Sequence, residues 1–68
     1  MTKPSLNVYE ERIVRLLMIA YRPLTTQQIA KHTGISYNTV VKHLKNLKKR
    51  GLVDSEEWSN KIYWVKSF

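Results

Sequence analysis

Asn38, Lys42, Lys45 and Lys49 are the residues with the most chemistry to offer. They stand at i, i+4, i+7 and i+11 within SYNTVVKHLKNLKKRG, residues 36–51. At 100° per residue this spacing sets one amide and three ammonium groups along one side of a helix. Val40, Leu44 and Leu47 recur at i, i+4, i+7 on roughly the opposite side, which reads as a buried seam. The cationic stripe either meets water or meets something anionic. Ammonium groups bind phosphate oxygens, and amides read the edges of bases.

Both ends of that helix are marked. Ser36 is an N-cap residue whose hydroxyl can take an orphan backbone N–H, and Gly51 suits the left-handed position that closes a helix. A helix over about 37–50 is therefore expected. Upstream, LTTQQIAKHTG predicts a short helix over about 26–32. Thr25 is its N-cap, with Gln28 completing a capping box and Leu24 and Ile29 forming a staple. Gly34 ends it, and Ile35-Ser36 leads straight into the next helix. A short helix, a turn with glycine and a second capped helix make a helix-turn-helix.

A first helix is expected over about 7–21, ending before Arg22-Pro23. Tyr9, Ile13, Leu16, Leu17 and Ala20 define its core face. Val14, Met18 and Tyr21 form a second apolar set, to be covered by the C-terminal segment or by a second copy of the chain. Residues 1–6 read as a polar arm, in which Lys3 is either an anion contact or part of a frayed end. After Gly51 the pattern changes to two runs rich in Val, Ile, Trp and Tyr around Ser59-Asn60. They predict a β-hairpin over about 52–66, its two tryptophans packed on the helices. The fold class is α+β, mainly α: a three-helix core with a C-terminal hairpin, one domain over 1–68.

The totals narrow the function classes. The chain has 68 residues and a net charge of +7, from 12 Lys+Arg against 5 Asp+Glu. The cations concentrate at Lys42, Lys45, Lys48, Lys49 and Arg50, without an acid among them, as phosphate binding requires. There is no cysteine, and His32 and His43 are the two histidines, so no zinc-type ligand cluster is offered. Glu10-Glu11 and Glu56-Glu57 are adjacent pairs that point apart, not dyads. No enzyme activity, metal, cofactor or small-molecule ligand is expected. No apolar run reaches the ~20 residues of a membrane span, and the charged N-terminus is unlike a signal peptide. A cytoplasmic, nucleoid-associated protein is expected.

The segment LTTQQIAKHTGISYNTVVKHLKNLKKRGLV resembles the winged helix-turn-helix transcription regulators of bacteria and archaea. The resemblance rests on Leu24-Thr25, Ile29-Ala30, Gly34-Ile35-Ser36, Thr39-Val40, Leu44, Leu47 and Gly51-Leu52-Val53, and covers about residues 8–66. Small basic winged helices encoded by archaea and their viruses are similar too. The resemblance implies a third helix in the DNA major groove and a hairpin wing along the backbone or minor groove. By that resemblance Ser36, Tyr37, Asn38 and Thr39 stand at the base-reading end, with Lys42 and His43 one turn on. Asn38 would pair with adenine, Lys42 with guanine, and the Thr39 methyl with thymine. Tyr37 either touches DNA or packs on the second helix. Lys45, Lys48, Lys49 and Arg50 would meet phosphates, as would Thr25 at a helix N-terminus and Lys61 at the wing tip.

Two departures from the resemblance stand out. The wing carries Asp54, Glu56 and Glu57, which repel phosphate. A further dimerisation helix or sensor domain, common in that family, is not expected here. The expected partner is double-stranded DNA, bound as a homodimer through Val14, Met18 and Tyr21. A winged-helix protein-interaction module and a non-specific chromatin-type binder are the alternatives.

Overall fold

The computed structural model describes residues 6–67. Residues 1–5, which include Lys3 and most of the expected arm, and Phe68 lie outside the described residues. Helix α1 spans Val8–Ile19. Asn7 caps it by accepting the Glu10 backbone N–H at 2.8 Å, and Glu10 and Glu11 place negative charge in the first turn, where the helix dipole favours it. The helix stops two residues short of the expected Tyr21. Ala20 is already extended, ahead of Arg22-Pro23, and Tyr21 is fully exposed.

The buried side of α1 is Glu10, Ile13, Val14 and Leu17, at i, i+3, i+4, i+7. This corrects two expectations. Tyr9 is 47% exposed, off the core face, with its ring centroid 5.5 Å from that of His43. Val14 is buried in the core, so it cannot belong to a surface contact between copies. The seam is turned toward Val14 because α1 packs on both other helices and on the sheet.

Strand β1, Leu24–Thr25, leads into helix α2, Thr26–Thr33. The capping box forms in both directions. The Gln28 N–H donates to Thr25 Oγ1 at 3.1 Å, and the Thr25 N–H donates to Gln28 Oε1 at 3.0 Å. Leu24 and Ile29 are both buried, as a staple requires. The α2–α3 turn opens with Gly34 at φ +74°. Thr33 stitches it: its hydroxyl donates to the Ile29 carbonyl at 2.7 Å and accepts the Ile35 N–H at 3.3 Å.

Helix α3 spans Tyr37–Lys49. Ser36 holds the N-cap position, but its hydroxyl donates to Thr39 Oγ1 at 2.8 Å and caps no backbone N–H, contrary to expectation. The other end closes as a Schellman motif with Gly51 at φ +78°. The Leu52 N–H reaches the Leu47 carbonyl and the Gly51 N–H reaches that of Lys48, each at 3.0 Å.

Strands β2, Val53–Trp58, and β3, Lys61–Lys66, form the hairpin. Trp58 faces Lys61 across a two-residue turn in which Ser59 and Asn60 both have positive φ, at 50° and 65°. This is the type I′ geometry whose twist suits an antiparallel ribbon. β3 also pairs with β1, Leu24 with Trp64 and Thr25 with Tyr63, so the sheet has three strands in the order β1-β3-β2.

Period-two alternation separates the tryptophans. Trp64 is buried and its indole N–H donates to the Thr26 hydroxyl at 2.9 Å. Trp58 lies on the other face, 60% exposed, its ring centroid 5.9 Å from that of Tyr63. Only Trp64 therefore packs the sheet onto the helices, where both were expected to. The core is completed by Ile13 and Leu17, by Ile29, Ile35 and Val53, and by Val40, Leu44 and Leu47, the last three with no exposed surface.

Candidate nucleic-acid interface

Helix α3 presents two opposed sides, as the spacing predicts. Val40, Leu44 and Leu47 are fully buried, while Asn38, Lys42, Lys45 and Lys49 are exposed. The stripe keeps one amide and three long ammonium side chains on a helix with solvent in front of it. At its N-terminal end Tyr37 is 55% exposed and lines a groove with Thr25, Gln27, Asn60 and Lys61. The start of α2, the start of α3 and the wing tip thus meet around one aromatic ring. Thr25 and Lys61, expected separately as phosphate contacts, stand on either side of it. The Thr25 hydroxyl already accepts the Gln28 N–H and keeps its own proton to donate. Ser36 is exposed and Thr39 half-buried, joined as one hydroxyl pair.

Other expected contacts are engaged inside the chain. Lys48 Nζ donates to Ser55 Oγ at 2.7 Å, which ties the last turn of α3 to β2. A guanidinium nitrogen of Arg50 lies 3.7 Å from Glu10 Oε1.

His43 is a correction. Its side chain is 13% exposed, with Nδ1 3.0 Å from Glu10 Oε2. At one residue past Lys42 it is rotated by 100° from the stripe, to the side of α3 that faces α1. It is part of the helix–helix contact.

Glu10 is the functional-looking residue that sequence reasoning missed. It is 3% exposed, and its carboxylate also accepts the Asn46 side-chain amide at 2.8 Å. A signal was present: Glu10 falls on the same seam as Ile13 and Leu17, where a carboxylate requires partners. Burial alone pushes this carboxyl up. The hydrogen bonds from Asn46, His43 and the Asn7 backbone, with the charge of His43, outweigh it and hold Glu10 below the usual carboxylate value. A carboxylate lowered on folding stabilises the fold above its unfolded pKa near 4.5, and that contribution is lost as pH falls through the lower folded-state value. Melting temperature should accordingly fall as pH drops below about 4.5. Glu10→Gln should flatten that part of the profile, and a variant with the wild-type acid slope would refute the assignment.

Three helices, a glycine turn and a hairpin tied to the start of α2 define a winged helix-turn-helix. The chain belongs to the TrmB family, sugar-specific transcriptional regulators, whose match runs over residues 1–68. Solved structures agree on the fold. The chain is similar to the homodimeric winged helix-turn-helix DNA-binding domain Mb0332 of Mycobacterium bovis, with 26% identity and a TM-score of 0.82, over 91% of this chain and 56% of that one. It is similar to Lactococcus lactis ZitR in complex with DNA, with 25% identity and a TM-score of 0.78, over 96% and 45%. Reduced HlyU of Vibrio cholerae shares the fold at 19% identity, with a TM-score of 0.77 over 91% and 63%. The chain thus spans about half to two thirds of the length of these proteins. No curated protein matches it. Among the described residues no helix is long and apolar enough to cross a membrane.

Proposed function

We propose that this chain is a DNA-binding transcription regulator that lays α3 in the major groove of duplex DNA. The observation that carries the reading is the Asn38–Lys42–Lys45–Lys49 stripe, exposed on a helix whose opposite side is the core. In this reading Asn38 and Lys42 meet base edges, with Tyr37 and Thr39 beside them, and Lys45 and Lys49 meet phosphates. Thr25, Ser36 and Lys61 hold the flanking backbone around Tyr37. The acidic strand β2 keeps all of the wing but its tip away from phosphate. The place of this contact is the cytoplasm, on the nucleoid.

The test is binding of a labelled duplex from the gene's own upstream region, against a scrambled duplex, at about 50 and 200 mM salt. A preference that survives the higher salt supports a sequence-reading regulator. Equal binding that collapses with salt means a non-specific binder. Asn38→Ala should relax the preference at one base position by about 1–3 kcal/mol. An equal loss on every duplex would remove Asn38 from base reading.

The regulator acts as a homodimer in this proposal, as Mb0332 does, and reads two half-sites about one helical turn apart. The surface for it is the end of α1, where Met18 is 52%, Ile19 73% and Tyr21 fully exposed. Met18→Glu should produce monomers in sedimentation experiments, and an unchanged sedimentation coefficient would count against this surface. A second reading, a protein-interaction module, is favoured by the exposed Trp58 among Asp54, Glu56 and Glu57. Absence of duplex binding even at low salt would select it.

A further inference from the structure

Glu10 makes no contact that the DNA-binding role requires, yet it is a carboxylate 3% exposed at the junction of α1 and α3. Its three side-chain partners, His43, Asn46 and Arg50, lie on successive turns along the α1-facing side of α3. We infer that Glu10 is a positioning residue for DNA recognition, fixing the roll of α3 about its own axis and hence the direction in which Asn38 and Lys42 point. The inference rests on the base-reading role proposed above for α3.

The physical case is one of directionality. The seam of Val40, Leu44 and Leu47 holds α3 against the core, but apolar contact is proportional to area and carries no orientation of its own. Hydrogen bonds to a charged acceptor are short and directional, and roughly twice as strong as neutral ones. Two of them, at 2.8 and 3.0 Å, converge here on one oxygen, with a guanidinium on the other. Side chains reach about 6 Å from a helix axis, so a roll of about 15° displaces the Asn38 amide by about 1.5 Å. Base recognition tolerates about 0.5 Å. Electrostatics point the same way. Glu10 keeps the Arg50 guanidinium on the α1 side, apart from the ammonium groups of the stripe.

Glu10→Gln keeps the shape but removes the charge, and it turns an amide NH2 toward groups that donate. The experiment first selects a preferred duplex from a random-sequence library with the wild-type chain. It then measures preferred and scrambled duplexes with wild type, Glu10→Gln, Asn38→Ala and the double variant, at a temperature where circular dichroism shows all four folded. Positioning predicts that Glu10→Gln lowers the preference ratio about tenfold while scrambled binding and its salt slope hold. It also predicts that Asn38→Ala then costs little more, because the amide is already misplaced. A purely structural role predicts an unchanged ratio and additive effects of these two non-touching residues, and either result overturns the inference. If Glu10→Gln fails to fold, Asn46→Ala, which keeps the His43 and Arg50 contacts, enters the same cycle under the same criteria. A wild-type chain that selects no preferred duplex overturns the base-reading proposal itself, and the positioning role falls with it.

Discussion

Replacing Lys45 and Lys49 together by alanine is expected to weaken binding to every duplex by about 60-fold per protomer near 0.1 M salt. Both side chains are exposed on the far half of the α3 stripe, past the residues assigned to base edges. Each phosphate neutralised releases counterions and contributes about 0.9 to the slope of log K against log salt. The double variant should therefore show a slope shallower by about 1.8, with an unchanged preference between duplexes. Titrations at several salt concentrations measure both quantities. A loss of preference at an unchanged slope would mean that these lysines read bases, and the assignment of roles along α3 would have to be reversed.

Leu44→Ala is expected to lower the melting temperature by about 10–25 °C, read by circular dichroism. Leu44 has no exposed surface and sits mid-seam, between Val40 and Leu47. Truncating a fully buried leucine costs about 2–5 kcal/mol, transfer and cavity together. A chain of 68 residues has only about 3–10 kcal/mol of stability to lose. DNA binding should fail on warming and return on cooling, which separates this variant from the lysine variants. A melting temperature within about 5 °C of wild type would mean that neighbouring side chains collapse into the space.

What the sequence made legible was mostly local. The Thr25–Gln28 box, the glycines at 34 and 51, and the i, i+4, i+7 seam of α3 each depend on residues within one or two turns, and each formed as spacing implied. The exposed stripe followed from the seam by helical geometry alone. Apart from the Ser36 cap and the early end of α1, the misreadings concern contacts between elements. Glu10 was weighed only as half of an adjacent acidic pair, because its partners, His43 and Asn46, stand 33 and 36 residues away. His43 belonged to the α1 contact for the same reason, and Val14 to the core, since the direction of packing on α1 is decided by two other helices. Strand β1 is two residues long, too short for alternation to register, and those residues already served as a cap and a staple. Trp58 was misplaced by its size, because a large aromatic argues for burial, whereas strand parity put it outside.

The pairing of β1 with β3 ties the wing to the start of the helix-turn-helix. Trp64 meets Thr26 from 38 residues further along the chain, and closing a loop of that length from a disordered state costs about 3 kcal/mol. The α1–α3 contact spans almost as much chain, 33 and 36 residues from Glu10 to His43 and Asn46, so helices and sheet close loops of similar cost. Truncation inside the hairpin would undo the sheet's half of this closure. Without the hairpin, the Thr26 hydroxyl and the β1 backbone lose their partners, and the Thr25–Gln28 box alone holds the start of α2. A chain cut short in the hairpin would therefore lose more than a wing contact: it would present DNA with a helix-turn-helix whose first turn is held by its cap alone.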